Sequence, residues 1–512
     1  TGVAERGFGW DINTDFSRPR GTIFPIGSFG HTGFTGTSLW MDPTSDTAVI
    51  LLANAIHPRG NPPISHLRGE IATAAAKALG LSSSEKSSIA PGEARQPIAS
   101  PTLTGIDVLE STHFEALKQA AKRHGNHLRL GLLTNQTGLD SHGRRTVEIL
   151  YKDAPKQVPG LELTMLFSPE HGLFGTKDTT KISNSTDSAT HLPIVSLYGA
   201  KEEQRHPNPQ DLAKLDAVVI DLQDAGVRFY TYETVLGYFL EAAAHQKSEG
   251  HDLEIIVLDR PNPIGGIQVQ GPVSDAGAES YIDYMPLPAR HGLTLGELAL
   301  YFNSERLLPT PANPNILTPI QAHLTVVAMQ NWHRAEYFDN TLLPWTNPSP
   351  NLRTLAAATL YPGLGFFDAT NISVGRGSAT PFEHIGASYI DAPQLAAYLT
   401  ARKIPGVTFA PTTFAVANND DHYPYHGKII PGIAFTVTDR NLLDAPELGI
   451  EVISALHHLY PQFDLAKTAR LIDNVETMQA LANNDDPRKI AASWAADLAT
   501  FERKRQPYLL YH

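Results

Sequence analysis

The chain is 512 residues long and 42% hydrophobic, too long for one core and expected to divide into two or three domains. Its formal net charge of −13 comes without clustered Lys and Arg, which argues against a general nucleic-acid binder and leaves anionic ligands to local arginines. It has no cysteine, which excludes disulfides, thiol nucleophiles and cysteine-ligated metal sites, and no apolar run approaches the length that spans a bilayer.

The first elements are two apolar, β-rich runs in "GSFGHTGFTGTSLWMDPTSDTAVILLANAIHP", on either side of the "DPTSD" turn, followed by a helix in "HLRGEIATAAAKALG" that ends at Gly80. Residues 81–105, "LSSSEKSSIAPGEARQPIASPTLTG", are too rich in Ser, Pro and Gly to bury much surface and read as a linker. Residues 1–80 resemble the C-terminal end of the serine β-lactamase and penicillin-binding-protein-like family, with His31-Thr32-Gly33 where that family has a Lys-Thr-Gly strand. The family's Ser-x-x-Lys nucleophile lies upstream of that strand. Ser83-Ser84-Glu85-Lys86 fits the spacing but follows the strand, inside the linker, so it is read as coincidence and the segment as the inactive tail of a hydrolase domain.

From Ile106 helices and strands alternate. "IDVLESTHFEALKQAAKRHG" reads as one helix closed by Gly125, and "LRLGLLTNQTG" as a strand. "LELTMLFSPEHG", "PIVSLYG", "DAVVIDLQDAG", "LEIIVLDRPNP" and "LTVVAM" follow as strands, with helices in "NPQDLAKL", "YTYETVLGYFLEAAAHQ" and "LTLGELALYFNSE" between them. Near-continuous apolar strands separated by helices imply a parallel sheet covered on both faces. The expected fold is therefore α/β: a Rossmann-like domain over residues 106–335, then a smaller α+β domain over 336–512 built from "APQLAAYLTARKI", "GVTFAP", "GIAFTVTD" and "PELGIEVISALHHLYP". "DPRKIAASWAADLATFERKRQPYLLY" reads as one amphipathic helix and a tail, with Trp494 and Phe501 as packing residues.

Ligands of such sheets bind beyond the carboxyl ends of the strands. Polar residues fall there repeatedly: Asn135 and Gln136 after the first strand, Glu170 and His171 after the second, Asp221, Gln223 and Asp224 after the fourth, and Asp259, Arg260 and Asn262 after the fifth. Helix capping and turns account for many Asp and Asn residues. They do not call for Glu-His or Asp-Arg pairs, so the four strand ends are expected to share one site. The first strand runs into "TNQTG" without the Gly-x-Gly-x-x-Gly turn that admits a pyrophosphate, so no nicotinamide cofactor, and no cofactor of any kind, is expected.

"FSPEHGLFG", "DLQDAGVRFYTYETV", "DRPNPIGG", "ARHGLTLGELA", "PSPNL" and "LYPGLGFFDATNISVGRGSATPFEHIGA" occur in the order found in a bacterial family long classed as a domain of unknown function. That family is now grouped as the exo-β-N-acetylmuramidases, glycoside hydrolase family 171. The resemblance covers residues 105–512. It implies removal of N-acetylmuramic acid from the non-reducing end of peptidoglycan fragments, in a cleft between the two domains, and an extracytoplasmic setting with any signal peptide upstream of Thr1. It also implies Glu170 as the leading catalytic residue. His291, Asn371 and Glu383 join the substrate site because they lie in these motifs. Two positions depart from the pattern: Asp368 stands where Glu is more usual, and Val374 where an acidic residue is common.

The chemistry points to the same glutamate. Glycoside cleavage needs a carboxylic acid to protonate the leaving oxygen and a second group to stabilise the oxocarbenium-like centre. Glu170 follows an apolar strand, where desolvation favours the acid form, and His171 could tune it or merely cap the turn. Asp224 and Asp221 are candidates for the second group. The substrate's own acetamido oxygen is another, with Tyr230 or Tyr232 orienting it, unless those two tyrosines only begin a core helix. The lactyl carboxylate of muramic acid calls for arginine, and Arg228, Arg260, Arg290 and Arg376 lie in motifs. Arg260 could instead pair with Asp259 or Asp224, which puts Arg290 and Arg376 first. Asp420, Asp421, His422 and His426 cluster in a surface loop, and His457 and His458 point about 100° apart on a helix, so no metal site is expected. A non-catalytic peptidoglycan-binding module accompanying a serine hydrolase is the alternative reading.

Overall fold

The computed structural model describes residues 5–81 apart from 8, 9, 14–16, 26, 27, 34, 35, 44 and 55–64, and residues 101–512 apart from 180, 311, 312 and 418–422. Most of the linker, with Ser83 to Lys86, and Asp420, Asp421 and His422 lie outside the described residues. The chain forms two compact units, Thr1–Ala99 and Ser100–His512.

In the first unit five antiparallel strands follow one another in chain order, Glu5–Gly7, Trp10–Asn13, Phe29–Thr32, Ser38–Asp42 and Thr47–Leu51, before the helix Ser65–Ala78. A small core of Ile23, Phe24, Trp40, Ala72 and Ala76 holds helix and sheet together. The indole of Trp40 donates to Ser28 Oγ at 2.9 Å, and Arg68 Nη2 donates to the carbonyl of Gly33 at 3.0 Å, tying the helix to the turn after His31 and Thr32.

The second unit is built on a seven-stranded sheet of β1 (Leu128–Thr134), β2 (Leu161–Ser168), β3 (Ser185–Thr186), β4 (Pro193–Ser196), β5 (Ala217–Asp221), β6 (Glu254–Leu258) and β7 (His323–Val327). The spatial order is β7-β6-β5-β1-β2-β4-β3, and every pairing is parallel except the short edge strand β3 against β4. Strands with no polar side to show must be covered twice. Val218, Ile220, Ile255 and Val257 pack on one face with the helix Tyr232–Ser248. Their neighbours Ala217, Val219, Ile256 and Leu258 pack on the other, with Ile106, Leu117 and Ala120. The order reverses between β1 and β5, so a crevice opens beyond the carboxyl ends of those two strands.

Two elements differ from the sequence reading. The single helix expected over 106–125 is two, Gly105–Ser111 and Glu115–Arg123, because His113 and Phe114 adopt left-handed backbone with φ of 55° and 59°. The break turns Phe114 into the core alongside Leu109 and Leu117. The C-terminal helix is likewise broken into Pro487–Ser493 and Ala495–Arg505, with Trp494 at the joint donating its indole N–H to Thr477 Oγ1 at 2.9 Å. Trp494 and Phe501 are both buried packing residues.

The C-terminal part carries a three-stranded antiparallel sheet, with Ile429–Val437 between His384–Gly386 and Val407–Ala415. The helices Leu355–Leu364, Ala392–Arg402 and Ala445–Leu459 belong with it, the last two capped by Asp391 and Asp444 with a proline in the first turn. Its core side chains, among them Phe366, Ile433 and Leu448, are continuous with those on one face of the large sheet. Among the described residues no helix is long and apolar enough to cross a membrane.

Candidate active site

β2 ends at Ser168, and the chain turns sharply through Pro169, Glu170, His171 and Gly172. His171 and Gly172 both have positive φ, 70° and 74°, so the reversal places Glu170 at the lip of the sheet. His171 is buried, and its Nδ1 lies 2.8 Å from the carbonyl of Lys177, which closes the loop.

The helix Tyr232–Ser248 begins opposite this turn. Thr231 stands at its N-cap but makes no capping bond, because its hydroxyl donates to Glu170 Oε2 at 2.8 Å. Tyr232 Oη donates to the carbonyl of Pro348 at 3.1 Å and accepts from Asn135 Nδ2 at 2.9 Å, linking the end of β1 to the loop at Pro348. The Tyr198 phenol, just beyond β4, lies beside Glu170, and its pKa is pushed up by burial and by that carboxylate's charge.

Glu170 lines a cavity of about 880 Å³ together with Tyr198, Glu202, Arg205, Thr231 and Tyr281, a volume in the range of small-molecule sites. It also lines a smaller recess of about 50 Å³ with His171, Tyr230, Tyr232, Tyr361 and Arg376. Arg376 is held by a bidentate ion pair with Asp368, Nε to Oδ1 at 2.6 Å, so the Asp at that position serves the cleft arginine.

The other strand ends are spent on the fold. Asp221 is completely buried and forms an ion pair with Arg260, Nε to Oδ1 at 2.5 Å and Nη2 to Oδ2 at 2.9 Å. The partner of Arg260 is thus neither Asp259 nor Asp224. Asp259 receives the Thr294 hydroxyl at 2.7 Å, the Gly296 N–H at 2.8 Å and the Tyr511 phenol at 2.6 Å. It thereby holds the first turn of the helix Leu295–Glu305, whose N-cap is Thr294, and burial pushes its pKa up to about 6. Asn262 donates to the Leu293 carbonyl at 2.9 Å, and Gln223 Nε2 donates to the carbonyls of Asp224 and Pro261 at 2.9 and 2.8 Å. Gly226 is required beside Asn262: its φ is 78°, and a Cβ there would come within 2.4 Å of Asn262 Oδ1.

Asp224 lies behind the two tyrosines. Its Oδ2 accepts the Gly226 N–H at 2.6 Å, its Oδ1 has no partner, and burial pushes its pKa up to about 7. Next to it are Glu233, whose pKa the same desolvation raises, and His291, whose Nε2 is 3.6 Å from Glu233 Oε2 and 3.9 Å from Asp224 Oδ2. His291 Nδ1 accepts the Leu293 N–H, and burial drives its pKa down to about 3, so the ring is neutral with its proton on Nε2. Tyr230 is fully buried against Tyr232, its ring centroid 4.7 Å away, and its hydroxyl has no partner.

Three of the expected substrate arginines are engaged within the fold. Arg228 donates to the carbonyls of Pro272, Leu287, Leu471 and Ile472, and Arg290 to Gln270, Ile264 and Tyr337. Arg260 is committed to Asp221. Asn371 bridges Gln462, Tyr389 and the Asp464 N–H, while Glu383 accepts the Thr354 hydroxyl at 2.6 Å, so both tie loops together. Of the arginines named from motifs only Arg376 reaches the Glu170 recess.

Two family models cover most of the chain: exo-β-N-acetylmuramidase NamZ, N-terminal, over residues 130–356, and its C-terminal counterpart over residues 359–511. The peptidoglycan β-N-acetylmuramidase NamZ of Bacillus subtilis (strain 168) is 35% identical over 430 residues, which are 83% of this chain and 95% of that protein. The chain belongs to the NamZ exo-β-N-acetylmuramidase family. Two crystal structures of DUF1343 family proteins from Bacteroides fragilis NCTC 9343 share the fold. One has a TM-score of 0.68 at 31% identity and covers 80% of this chain and 99% of that one; the other has 0.62 at 27%, covering 81% and 99%.

Both NamZ models contribute to the cavity: Glu170, Tyr198 and Tyr281 come from the first, Arg470 and Asp473 from the second. Sequence reasoning missed Tyr198, Arg205, Thr231, Tyr281 and Arg470. Tyr198 could have been found, since it follows β4 on the same rim as Glu170. Arg470 sits in no motif, and only the fold of the C-terminal part brings it to the cavity.

Proposed function

We propose that the chain is an exo-acting glycoside hydrolase that releases N-acetylmuramic acid from the non-reducing end of peptidoglycan fragments, with Glu170 as general acid. The observation that carries the role of Glu170 is its contrast with its fellow strand-end carboxylates. Asp221 and Asp259 are buried and committed to other side chains, and Asp224 is walled off, whereas Glu170 opens on the cavity with only one oxygen engaged by Thr231. That hydroxyl fixes Oε2 and leaves Oε1 to deliver a proton to the departing glycosidic oxygen. The group that hydrogen-bonds Glu170 is a hydroxyl, and the cavity carboxylates Glu202 and Glu279 are already paired with Arg205 and Arg306. This favours the substrate's own acetamido oxygen as the group that meets the developing cation, the substrate-assisted variant of glycoside hydrolysis. A muramidase acts where peptidoglycan lies, which supports an extracytoplasmic setting. The antiparallel sheet and closing helix of the first unit support its reading as the tail of a serine-hydrolase-like domain.

Glu170→Gln is nearly isosteric and still accepts from Thr231, so it should fold and melt with the parent. On a muramic-acid-terminated disaccharide it should lose about 10²–10⁴-fold in rate. On an aryl muramide whose leaving group needs little protonation the loss should be much smaller. Equal losses on the two substrates, or none, would remove Glu170 from the acid role.

A further inference from the structure

The cavity around Glu170 is lined by three arginines, and two are already matched. Arg205 Nη1 pairs with Glu202 at 3.0 Å and its guanidinium lies 4.3 Å from the Tyr281 ring centroid, while Arg306 pairs with Glu279 at 3.1 Å. Arg470 is different. Among the described residues it has neither a hydrogen-bond nor an ion-pair partner, although Asp473 lines the same cavity one helical turn away. Asp473 turns instead to the carboxyl of Asp283, whose pKa is raised by burial and then by this neighbour.

The position of Arg470 is nevertheless built. The buried Arg228 directs Nη2 at the carbonyls of Leu471 and Ile472, at 2.7 and 2.9 Å, and so fastens the short helix Ala469–Ile472 to the sheet domain. The backbone beyond it is held as well: Asp275 N donates to the Asp473 carbonyl at 2.9 Å, and Asp275 Oδ2 accepts the Val475 N–H at 2.8 Å. A fully buried arginine thus holds in place an exposed one, whose planar fork is left free on the wall of the cavity.

We infer that Arg470 is the carboxylate anchor of this site, pairing with an acidic group of the substrate while Glu170 acts at the glycosidic bond. This rests on the glycosidase reading above and names the side chain that reads the acidic substituent. A muramic substrate can present that carboxylate from two places: the free lactyl group of a bare terminal sugar, or the peptide attached to it when the lactyl carbonyl is amidated.

The test uses the whole chain, with Arg470→Gln and Arg470→Lys, and calorimetric binding of two ligand pairs. The first pair is N-acetylmuramic acid and its lactyl carboxamide; the second is an N-acetylmuramoyl dipeptide and its carboxyl-blocked form. In the parent the acid should bind about 10- to 100-fold tighter than the carboxamide, the worth of a charge-assisted hydrogen bond. Arg470→Gln should bind both at the carboxamide's level, and Arg470→Lys should recover part of the difference. If the Arg470-dependent preference appears in the dipeptide pair instead, the anchor stands and its carboxylate is that of the peptide. A parent that discriminates in neither pair, or a folded Arg470→Gln that keeps the parent's preference, overturns the inference. Release of monosaccharide by the parent tests the glycosidase reading separately: hydrolysis with a preference indifferent to Arg470 rejects the anchor alone, whereas Arg470-dependent binding without hydrolysis rejects the reading alone.

Discussion

The turn after β2 and the ends of β5 and β6 present carboxylates at equivalent places on one parallel sheet, yet they do opposite things. At Glu170 the chain reverses through two residues of positive φ and leaves an acid on the wall of a large cavity, touched by a hydroxyl. At Asp221 and Asp259 the acids are 0% exposed and saturated by Arg260, Thr146, Thr294 and Tyr511. A strand-end position supplies the opportunity for chemistry; the partners of the carboxylate decide whether it is free to take part. Destroying the two kinds of acid should therefore damage different properties of the molecule.

The largest contrast is between Glu170→Gln, which should cost rate and not stability, and Asp221→Ala, which should do the reverse. Removing Asp221 strands a buried guanidinium, and breaking such a pair typically costs about 3–5 kcal/mol. The midpoint of a denaturant titration should fall accordingly, while the protein that remains folded turns over substrate within a few-fold of the parent. An Asp221→Ala protein as stable as its parent but inactive would erase the distinction between the two rims.

Asp224 sharpens it with pH. Burial raises its pKa from the ordinary carboxylate value of 3.8 to about 7, so between these values the unfolded chain has released its proton and the folded chain has kept it. Stability then falls as pH rises through that window and is recovered on acidification. Keeping the proton across that window is worth roughly 4 kcal/mol. Asp224→Asn should leave stability near pH 4 little changed and raise it by pH 8, flattening the pH dependence of the melting temperature relative to the parent. Parallel curves for the two proteins would mean that Asp224 is charged in the folded state. That would restore it as a candidate for the second catalytic group.

The sequence reveals the sheet because β5 and β6 are apolar on both faces, and in the fold Val218 and Val219 do point to opposite cores. The break at His113 and Phe114 escapes it, since a bulky Phe rarely adopts left-handed backbone and only burial of Phe114 rewards it. At the site, Glu170 is readable from its strand-end motif. The arginines are not: a cation that satisfies backbone carbonyls, as Arg228 and Arg290 do, looks the same in sequence as one that faces a ligand. Arg470 illustrates the converse. Its neighbours carry no motif, and its place on the cavity depends on Arg228, some 240 residues earlier in the chain.

The smallest expected effect lies beside the largest, at His171. An imidazole next to a general acid invites a role in proton transfer, but the geometry gives this one a local task. Its Nδ1 meets the Lys177 carbonyl at 2.8 Å and its φ is 70°, so it closes the turn that carries Glu170. Asparagine tolerates left-handed backbone better than most residues, and its amide can donate to the same carbonyl. His171→Asn should therefore stay well above the roughly 10²-fold loss that marks a missing acid or base, and the pH profile of kcat/KM should keep both limbs. His171→Ala forfeits both features, so it should lose about 1 kcal/mol of stability and more activity than the Asn variant. If His171 instead exchanged protons with Glu170, Asn and Ala would be equally damaging and one limb of the profile would disappear in both. The order of the two variants, rather than the size of either loss, thus separates a residue that shapes the turn from one that moves the proton.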